Sequence, residues 1–424
     1  MARDDAARRT ADRVVSSNPH GSSLLLSFPP ESILPKRVII LGATGSIGAS
    51  ALSVAANLPG EFEIVALAGG KNARRMAELV RTWRPRVAVL TNDDAAAELR
   101  TLLADIPPGP PASTEIWTGR QALVRLVKEL DCDFVLSGIV GIAALPATLA
   151  AVERGLTLGL ANKECLVVAG ELLVRSAAMS GSKIIPVDSE HSAIYQSLHS
   201  GRREEIERIL LTASGGPFRT WPVEKMRTAT VSDAMKHPTW AMGPKITIDS
   251  ATMMNKALEI IEAKWLFEVE PQRIEVVIHP ESIIHSMVAF RDGSVVAQMG
   301  QPDMRTPIQY AMTYPRRLTG ASERLDFSRL GRMHFEPPDL NRFPALRLGH
   351  DVARRGGTAG AALNGANEAA VELFREGRIG YLDIASIVEA VLDKHPFEPH
   401  PSMEALMEVD GMARSEARNW KRSA

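Results

Sequence analysis

The sequence has only two cysteines, Cys132 and Cys165, among its 424 residues. They do not form a CxxC pair, which argues against a disulfide framework and against a cysteine-based zinc site. Such scarcity is typical of a reducing, cytoplasmic setting. The formal net charge is only −1, so no excess of basic residues points to nucleic acid or to a membrane surface. We therefore expect a cytoplasmic protein with no nucleic-acid or membrane partner.

Long uninterrupted hydrophobic runs are also missing. The longest apolar stretch, residues 134–152, could span a bilayer by its length. It is interrupted by Ser137, Gly138, Gly141 and Pro146, however. These residues favour a buried strand followed by a packed helix.

The first 34 residues lack the apolar core of a secretory signal, because residues 24–26 are too short a run. Arginine and serine are frequent there, as in organelle transit peptides. Asp4, Asp5 and Asp12 argue against that interpretation, since acidic residues are rare in such peptides. We predict a disordered leader over residues 1–34.

Strand and helix patterns alternate from residue 35 to residue 187, with a proline-rich loop at 105–111. This alternation predicts an α/β fold in which a Rossmann-like, doubly wound parallel sheet binds a dinucleotide. The predicted strands are 37–41, 62–66, 87–90, 134–137 and 157–160, and the predicted helices are 49–56, 72–84, 121–130 and 146–154.

The pattern changes in the second half of the chain. Short strands mixed with helices predict an α+β catalytic or connective domain over residues 188–313, with strands at 208–212, 245–248, 275–278 and 294–298. Residues 314–340 form a predicted linker, within which 314–338 is rich in Arg, Pro and Gly. Helical periodicity in residues 341–424 predicts a C-terminal helical bundle.

A glycine-rich turn follows the first predicted strand. Gly42, Gly45 and Gly48 lie between strand 37–41 and helix 49–56. Glycines at such a turn let the backbone approach a pyrophosphate, and the helix N-terminus supplies N–H donors. The spacing differs from GxGxxG, so a glycine-rich turn that binds no ligand is the open alternative.

The end of the second strand indicates which nucleotide binds. An NAD site would place an acidic residue there to bind the ribose hydroxyl. Residues 68–75 instead contain Lys71, Asn72, Arg74 and Arg75 and no acid. Because this cluster would attract a 2′-phosphate, we predict NADPH, with a solvated basic helix start as the alternative.

Three carboxylates are set among polar residues further along the chain. Asp188 and Glu190 follow the β-branched run 183–187, and alternation along an extended chain would point both to one side. Asn255 and Glu259 share a helix face at i, i+4. Three oxygen ligands suit Mg²⁺ or Mn²⁺. No Arg or Lys adjoins Asp188 or Glu190 in sequence, which argues against a purely structural, salt-bridged trio.

These motifs occur together with others in a fixed order. They are GATGSIG (42–48), NKE (162–164), VDSEHSA (187–193), SGGPF (214–218), HPTWAMG (237–243) and DSATMMNKALE (249–259). As an ordered set they resemble the 1-deoxy-D-xylulose 5-phosphate reductoisomerase family of the non-mevalonate isoprenoid pathway. The resemblance covers nearly everything from residue 37 onward.

The resemblance implies roles for particular residues. The metal ligands for Mg²⁺ or Mn²⁺, with Co²⁺ as a third candidate, would be Asp188, Glu190 and Glu259, and the catalytic set would add Lys163 and His237. The substrate contacts would be Lys163, Ser189, Glu190, Ser214, His237, Ser250, Asn255, Lys256 and Glu259. Of these, Ser214, Ser250, Asn255 and Lys256 would bind the phosphate, with His237 beside them. The NADPH contacts would be Thr44, Gly45, Ser46, Ile47, Gly70, Lys71, Asn72, Asn162, Glu164 and Gly243.

Residues 237–243 would form a lid in which Trp240 and Met242 give apolar cover. Two alternatives stay open at this point. Ser250 could be a helix N-cap instead of a phosphate ligand, and Trp240 could be an ordinary core aromatic.

The implied reaction is an NADPH- and metal-dependent rearrangement and reduction of 1-deoxy-D-xylulose 5-phosphate, giving 2-C-methyl-D-erythritol 4-phosphate. The implied partners are this phosphorylated ketose and a second copy of the chain in a homodimer. Retroaldol cleavage with re-addition and a concerted shift both fit the sequence, and the proton carriers are not identified.

Two other functions are compatible with parts of the sequence. A semialdehyde or homoserine-type dehydrogenase could use Cys165 as a nucleophile, but it leaves the three carboxylates without a role. An NADPH-sensing regulator would bind the cofactor without turnover, and it gives no reason for a cluster of phosphate donors.

Overall fold

The computed structural model describes residues 34–104, 114–240 and 242–421. The predicted leader up to residue 33 and the predicted loop 105–111 lie outside the described residues. Within the described ranges, none of the helices has both the length and the apolar character needed to cross a membrane. The apolar stretch 134–152 forms a strand and a packed helix, as predicted.

A seven-stranded parallel sheet occupies the first half of the chain. Its strands lie in the order β4-β3-β2-β1-β5-β6-β7, and every neighbouring pair is parallel. The order reverses between β1 and β5, the point where open α/β sheets bind ligands at the carboxyl ends of their strands. The predicted Rossmann-like sheet is confirmed. The strands are β1 Lys36–Leu41, β2 Phe62–Gly69, β3 Val87–Leu90, β4 Glu115–Thr118, β5 Phe134–Ser137, β6 Thr157–Leu160 and β7 Ile184–Pro186.

Helices cover this sheet, so its central strands are buried on both faces; all four residues of β5, for example, are buried. The helices are α1 Ser46–Asn57, α2 Ala73–Trp83, α3 Asp93–Leu103, α4 Gln121–Glu129, α5 Leu145–Glu153 and α6 Lys163–Ser180. Helix α6 is kinked at Ala169, whose backbone is not helical. The next residue, Gly170, packs so closely on Trp265 that a Cβ there would lie 2.2 Å from the indole ring.

A four-stranded sheet with the order β11-β10-β8-β9 follows. Strands β8 and β9 are parallel, and the other pairs are antiparallel. The strands are β8 Ile206–Ala213, β9 Ile274–Ile278, β10 Ile284–Phe290 and β11 Val295–Met299. The helices of this region are α7 Ser189–Ser197, α8 Val223–Met226, α9 Val231–Ala234, α10 Pro244–Ala251, α11 Met254–Phe267 and α12 Arg305–Thr313.

One predicted strand, 245–248, is wrong, because these residues form the first half of α10. Gly243 is its N-cap and Pro244 occupies its first turn, where a missing N–H costs nothing. Ile248 and Ala251 are buried at helical spacing. Burial of this face overrides the weak strand preference of the β-branched residues.

Helices make up the C-terminal region, as predicted. Helix α14 packs against α15 and α16 and also reaches α6 and α10. Gly365 allows the close approach of α14 to α16, since a Cβ there would lie 2.3 Å from the Asp410 carbonyl oxygen. The boundaries of the three predicted domains stay predictions. The helices are α13 Ala345–Arg355, α14 Ala359–Arg375, α15 Asp383–Lys394 and α16 Met403–Asn419.

Candidate active site

The three predicted metal ligands converge. One carboxylate oxygen from each of Asp188, Glu190 and Glu259 can be chosen so that all three lie within 4.8 Å of one another. Asp188 caps α7, its side chain accepting from the Ser189 N–H at 3.0 Å, and Glu190 lies in the first turn of that helix. The predicted extended geometry at 188–190 is therefore wrong, and it is the start of a helix that brings the two carboxylates together.

Two buried lysines neutralise part of this charge. Lys163 Nζ lies 2.5 Å from Asp188 and 3.1 Å from Glu259. Lys256 Nζ lies 2.8 Å from Glu190 and also contacts Glu259. The lack of basic neighbours in sequence was therefore misleading, because these cations come from α6 and α11.

The cluster is nevertheless suited to a divalent cation. Burial and the charge of Glu190 raise the pKa of Glu259 to about 7. Burial alone would also raise the pKa of Glu190, but Lys256 and Lys163 lower it to about 2. Three carboxylates against two ammonium groups leave an excess of oxygen donors of the kind Mg²⁺ and Mn²⁺ prefer.

His191 and Glu262 lie behind the three carboxylates, and neither was predicted from the sequence as a site residue. The His191 Nε2–H donates to the Glu259 backbone carbonyl at 2.9 Å, and Nδ1 lies 3.3 Å from Glu262. Burial lowers the pKa of His191 to about 4. Such contacts orient metal ligands. Sequence spacing was the available signal. His191 lies three residues after Asp188, the N-cap of α7, and Glu262 lies three residues after Glu259 in α11.

Ser214 and His237 form the predicted phosphate side of the site. His237 Nδ1 accepts from the backbone N–H groups of Thr239 and Trp240 at 3.2 and 2.9 Å. Its Nε2 therefore carries the proton and donates to Ser214 Oγ at 3.1 Å. Ser214 Oγ also accepts from Gly216 N at 3.2 Å. The Ser214 hydroxyl hydrogen is left to donate to a ligand.

The other predicted substrate residues divide between the two sides. Asn255 accepts from Lys163 at 2.9 Å and donates to Glu259, so it belongs with the carboxylates. Ser189 donates to Glu190 at 2.5 Å.

Ser250 lies inside α10 and so does not cap it, contrary to the alternative left open by the sequence. Its carbonyl oxygen would lie 2.6 Å from a Cβ on Gly216, which places it beside the Ser214 turn. Helices α10 and α11 meet at Met253, whose φ of +59° makes a left-handed corner. One short segment thus supplies Ser250 to one side of the site and Glu259 to the other.

The glycine-rich turn lies at the reversal point of the sheet. Gly42 has a φ of +96°, and a Cβ there would lie 2.5 Å from the Gly138 carbonyl oxygen. Gly45 caps α1, and Ser46 begins it. Thr44 lies beside the end of β2, where a Cβ on Gly69 would approach its hydroxyl to 3.0 Å. The turn and the helix N-terminus are placed as a pyrophosphate site requires.

The basic cluster lies just past β2. Gly70, Lys71 and Asn72 are exposed there, and Asn72 caps α2 by accepting from Arg75 N at 3.0 Å. The Arg74 side chain is 87% exposed and lies 3.7 Å from Glu98. The cluster is therefore accessible to an anionic ligand.

The NKE motif at the start of α6 joins several parts of the site. Asn162 accepts from Cys165 N at 2.9 Å and donates to the Gly141 carbonyl at 2.8 Å, which ties the end of β6 to the loop after β5. Glu164 lies 2.9 Å from Lys245. Cys165 is fully buried, and burial raises the pKa of its thiol.

The predicted lid, residues 237–243, is irregular, and Ala241 lies outside the described residues. Thr239 Oγ1 donates to the Pro280 carbonyl at 3.4 Å. The Trp240 ring lies 6.2 Å from the ring of buried His285. Trp240 and Met242 are half-buried, so Trp240 is not a core aromatic.

Comparison with known proteins gives consistent matches. A family model for 1-deoxy-D-xylulose 5-phosphate reductoisomerase matches residues 38–170. Models for the C-terminal domains of that enzyme match residues 184–267 and 299–416. A reductoisomerase of that name from Anaeromyxobacter dehalogenans is 52% identical over 90% of this chain and 96% of its own length. One from Chloroherpeton thalassium is 47% identical over 89% and 96%.

Solved structures agree. The Zymomonas mobilis reductoisomerase in complex with NADPH is 42% identical and has a TM-score of 0.84, over 91% of this chain and 98% of that one. A second reductoisomerase, in complex with NADPH, fosmidomycin and magnesium, is 40% identical with a TM-score of 0.85 over the same shares. The chain belongs to the 1-deoxy-D-xylulose 5-phosphate reductoisomerase family.

Proposed function

We propose that this protein catalyses the NADPH- and divalent-metal-dependent conversion of 1-deoxy-D-xylulose 5-phosphate to 2-C-methyl-D-erythritol 4-phosphate. The observation that carries this function is the convergence of Asp188, Glu190 and Glu259 within 4.8 Å, next to buried Lys163. A dehydrogenase that only moves a hydride has no need of such a cluster. A rearrangement of a ketose needs two neighbouring oxygens to be held and polarised.

The metal side of the site consists of three carboxylates and one ammonium group. Asp188, Glu190 and Glu259 would hold Mg²⁺ or Mn²⁺, with Co²⁺ as a third candidate. When bound, the cation polarises the carbonyl and the adjacent hydroxyl of the substrate. The Lys163 ammonium, which contacts two of the three carboxylates, stabilises negative charge that develops on the same oxygens.

The phosphate side supplies hydrogen-bond donors. Ser214 has a free hydroxyl hydrogen because its oxygen already accepts from His237 and Gly216. Ser250 lies beside this turn. Hydroxyl donors suit the terminal oxygens of a phosphate. Asn255 and Lys256 lie between the two sides on α11 and orient the carboxylates as well as the substrate.

The dinucleotide crevice completes the site. The turn at Gly42 and the N-terminus of α1 receive the pyrophosphate, and Lys71 with Arg74 receives the 2′-phosphate. NADPH, when bound, supplies the hydride that reduces the rearranged aldehyde. Residues 237–243 close over the substrate and exclude water.

The dehydrogenase alternative is disfavoured by the position of Cys165. A nucleophilic thiol has to reach its substrate and be partly ionised. Cys165 is fully buried, with a raised pKa, and its sulfur lies 3.9 Å from Thr148 Oγ1. A homodimer in the cytoplasm is part of our proposal. The family resemblance supports the dimer, and two free cysteines support the reducing compartment.

A direct assay tests the function. Purified protein, NADPH and 1-deoxy-D-xylulose 5-phosphate are mixed with Mg²⁺ or Mn²⁺, and loss of NADPH absorbance is followed while the product is identified by mass spectrometry. Oxidation of NADPH with formation of the branched-chain polyol phosphate is expected. Fosmidomycin, present in a solved relative, should inhibit. Absence of substrate-dependent oxidation with either metal would refute the proposal.

A further inference from the structure

Lys245 is a largely buried cation for which the site described above gives no role. It lies in the first turn of α10, two residues after Gly243, where the predicted lid ends. Its Nζ lies 2.9 Å from Glu164 and 2.9 Å from Asp249. Asn367 of α14 donates to the other Asp249 oxygen at 2.9 Å. One ammonium group therefore joins the starts of α6 and α10, and through Asp249 it reaches the C-terminal bundle.

The neighbours of this cluster are site residues. Lys163 enters the carboxylate trio, whereas the next residue, Glu164, turns to Lys245. Asp249 pairs with Lys245, whereas the next residue, Ser250, lies beside the Ser214 turn. Lys245, Glu164 and Asp249 form one cluster, called the Lys245 cluster below. Through Glu164 it adjoins Lys163 on the metal side, and through Asp249 it adjoins Ser250 on the phosphate side.

Stability alone is a weak reason for such a cluster. Removing charges from water offsets much of their attraction, so apolar replacements often stabilise a protein equally well. The Lys245 side chain is only 20% exposed, and Asp249 is 1% exposed. Burial would raise the pKa of Glu164, but the Lys245 charge and hydrogen bond outweigh it and the pKa is lowered. Glu164 is therefore kept ionised, and the hydrogen bond from Lys245 at 2.9 Å fixes the position of its carboxylate.

We propose that Lys245 is a positioning residue that couples the cofactor crevice to the lid. It fixes the Glu164 carboxylate, which the resemblance assigns to NADPH, and the first turn of α10, where the predicted lid ends. The proposal rests on the proposed function, because it takes Glu164 and Gly243 as cofactor contacts. NADPH binding at Glu164 and closure of the predicted lid, which ends at Gly243, then both depend on the Lys245 ammonium group.

Lys245→Met tests this, because it keeps the aliphatic length and removes the charge. We expect the Kd for NADPH, measured by cofactor fluorescence, to rise about tenfold, and kcat at saturating NADPH and Mg²⁺ to fall about tenfold, each equivalent to roughly 1.4 kcal/mol. The Mg²⁺ concentration for half-maximal activity should not change. Lys245→Arg should recover part of both losses.

Lys394→Met is the matched control. Lys394 is an exposed lysine 3.6 Å from Glu416 in the helical bundle, and its loss should change neither constant. If Lys245→Met folds and both constants stay within about twofold of wild type, the proposal is wrong, even if the melting temperature falls.

Asp249→Asn covers the case in which Lys245→Met does not fold. The substitution keeps the shape of the side chain at position 249 and leaves the Lys245 ammonium group paired with the Glu164 carboxylate alone. Because the contact between Lys245 and Glu164 is kept, we expect the NADPH Kd to change little. We expect kcat to fall by a smaller factor than in Lys245→Met, because Lys245 loses its ion pair within α10, and an unchanged kcat contradicts the proposal. If the wild-type protein binds NADPH but does not turn over the ketose, the proposed function fails, while the Kd comparison still decides the role of Lys245.

Discussion

The ammonium group of Lys163 lies 2.5 Å from a carboxylate oxygen of Asp188, and both side chains are largely buried. Lys163 begins the helix after β6, and Asp188 caps the helix after β7. Because β6 and β7 are adjacent parallel strands, their carboxyl ends deliver the two residues to one place. The carboxyl ends of the two strands thereby bring a cation and a proposed metal ligand together.

Removal of the divalent metal should abolish turnover. Treatment with a chelator is expected to stop NADPH oxidation, and excess Mg²⁺ or Mn²⁺ should restore it. Mg²⁺ at about one hundred times its Kd should also stabilise the fold by roughly 2.7 kcal/mol, seen as a rise in melting temperature. NADPH affinity without substrate serves as the control and should not change. Full activity in metal-free protein would exclude the proposed role of the trio.

Glu259→Gln should separate metal-supported turnover from cofactor binding. The amide keeps the shape but loses the charge, so we expect kcat/KM to fall about a hundredfold or more, roughly 2.7 kcal/mol. The Kd for NADPH should stay near that of wild type, since the glycine turn is on a different part of the fold. Glu275→Gln is the control, because Glu275 is an exposed residue paired with Arg208 at 3.2 Å. Equal loss of binding and turnover would contradict this arrangement.

Lys71→Ala and Arg74→Ala should each narrow the preference for NADPH over NADH. A hydrogen bond to a charged group contributes roughly 1.5 kcal/mol, so about a tenfold change in the ratio of kcat/KM values is expected for each. Arg81→Ala, in the last turn of the same helix, should leave the ratio unchanged. If neither Lys71 nor Arg74 alters it, the basic cluster is simply solvated.

Cys165→Ala should retain activity per folded molecule. The thiol lies in the core, so its loss should lower the free energy of unfolding by about 1 kcal/mol. The native protein should resist thiol-modifying reagents until it unfolds, because a buried thiol with a raised pKa is unreactive. Loss of turnover in a variant with an unchanged melting curve would support the dehydrogenase alternative.

Gly42→Ala should destabilise the protein more than Gly60→Ala does. Both glycines have a positive φ, which costs a side chain about 1–2 kcal/mol. Only at Gly42 would the added Cβ meet backbone, 2.5 Å from the Gly138 carbonyl oxygen, whereas nothing lies within 4 Å at Gly60. The clash should add about 1–3 kcal/mol in chemical denaturation. Equal destabilisation would mean that the turn can shift to make room.

Local patterns were sufficient to predict the parallel, doubly wound arrangement and most strands of the main sheet, but not strand β4. Buried runs such as residues 37–41 and the glycine turn after them are features of neighbouring residues, so one sequence reveals them. The pairing of Lys256 with Glu190 was not predicted, because it joins α11 to α7 and the charge balance depends on tertiary contacts. The resemblance assigned Lys256 to phosphate alone. Residues 245–248 were mistaken for a strand because strand propensity is weaker than the pull of a buried helical face.

The left-handed corner at Met253 limits how this region can change in length. Residues 249–259 carry Ser250 before the corner and Glu259 after it. Each residue of an α-helix turns the next by about 100°. A single-residue insertion in α11 ahead of Glu259 would therefore swing its carboxylate away from Asp188 and Glu190, even with every functional residue still encoded. The number of residues between Ser250 and Glu259 is therefore as tightly constrained as the identity of the two residues themselves.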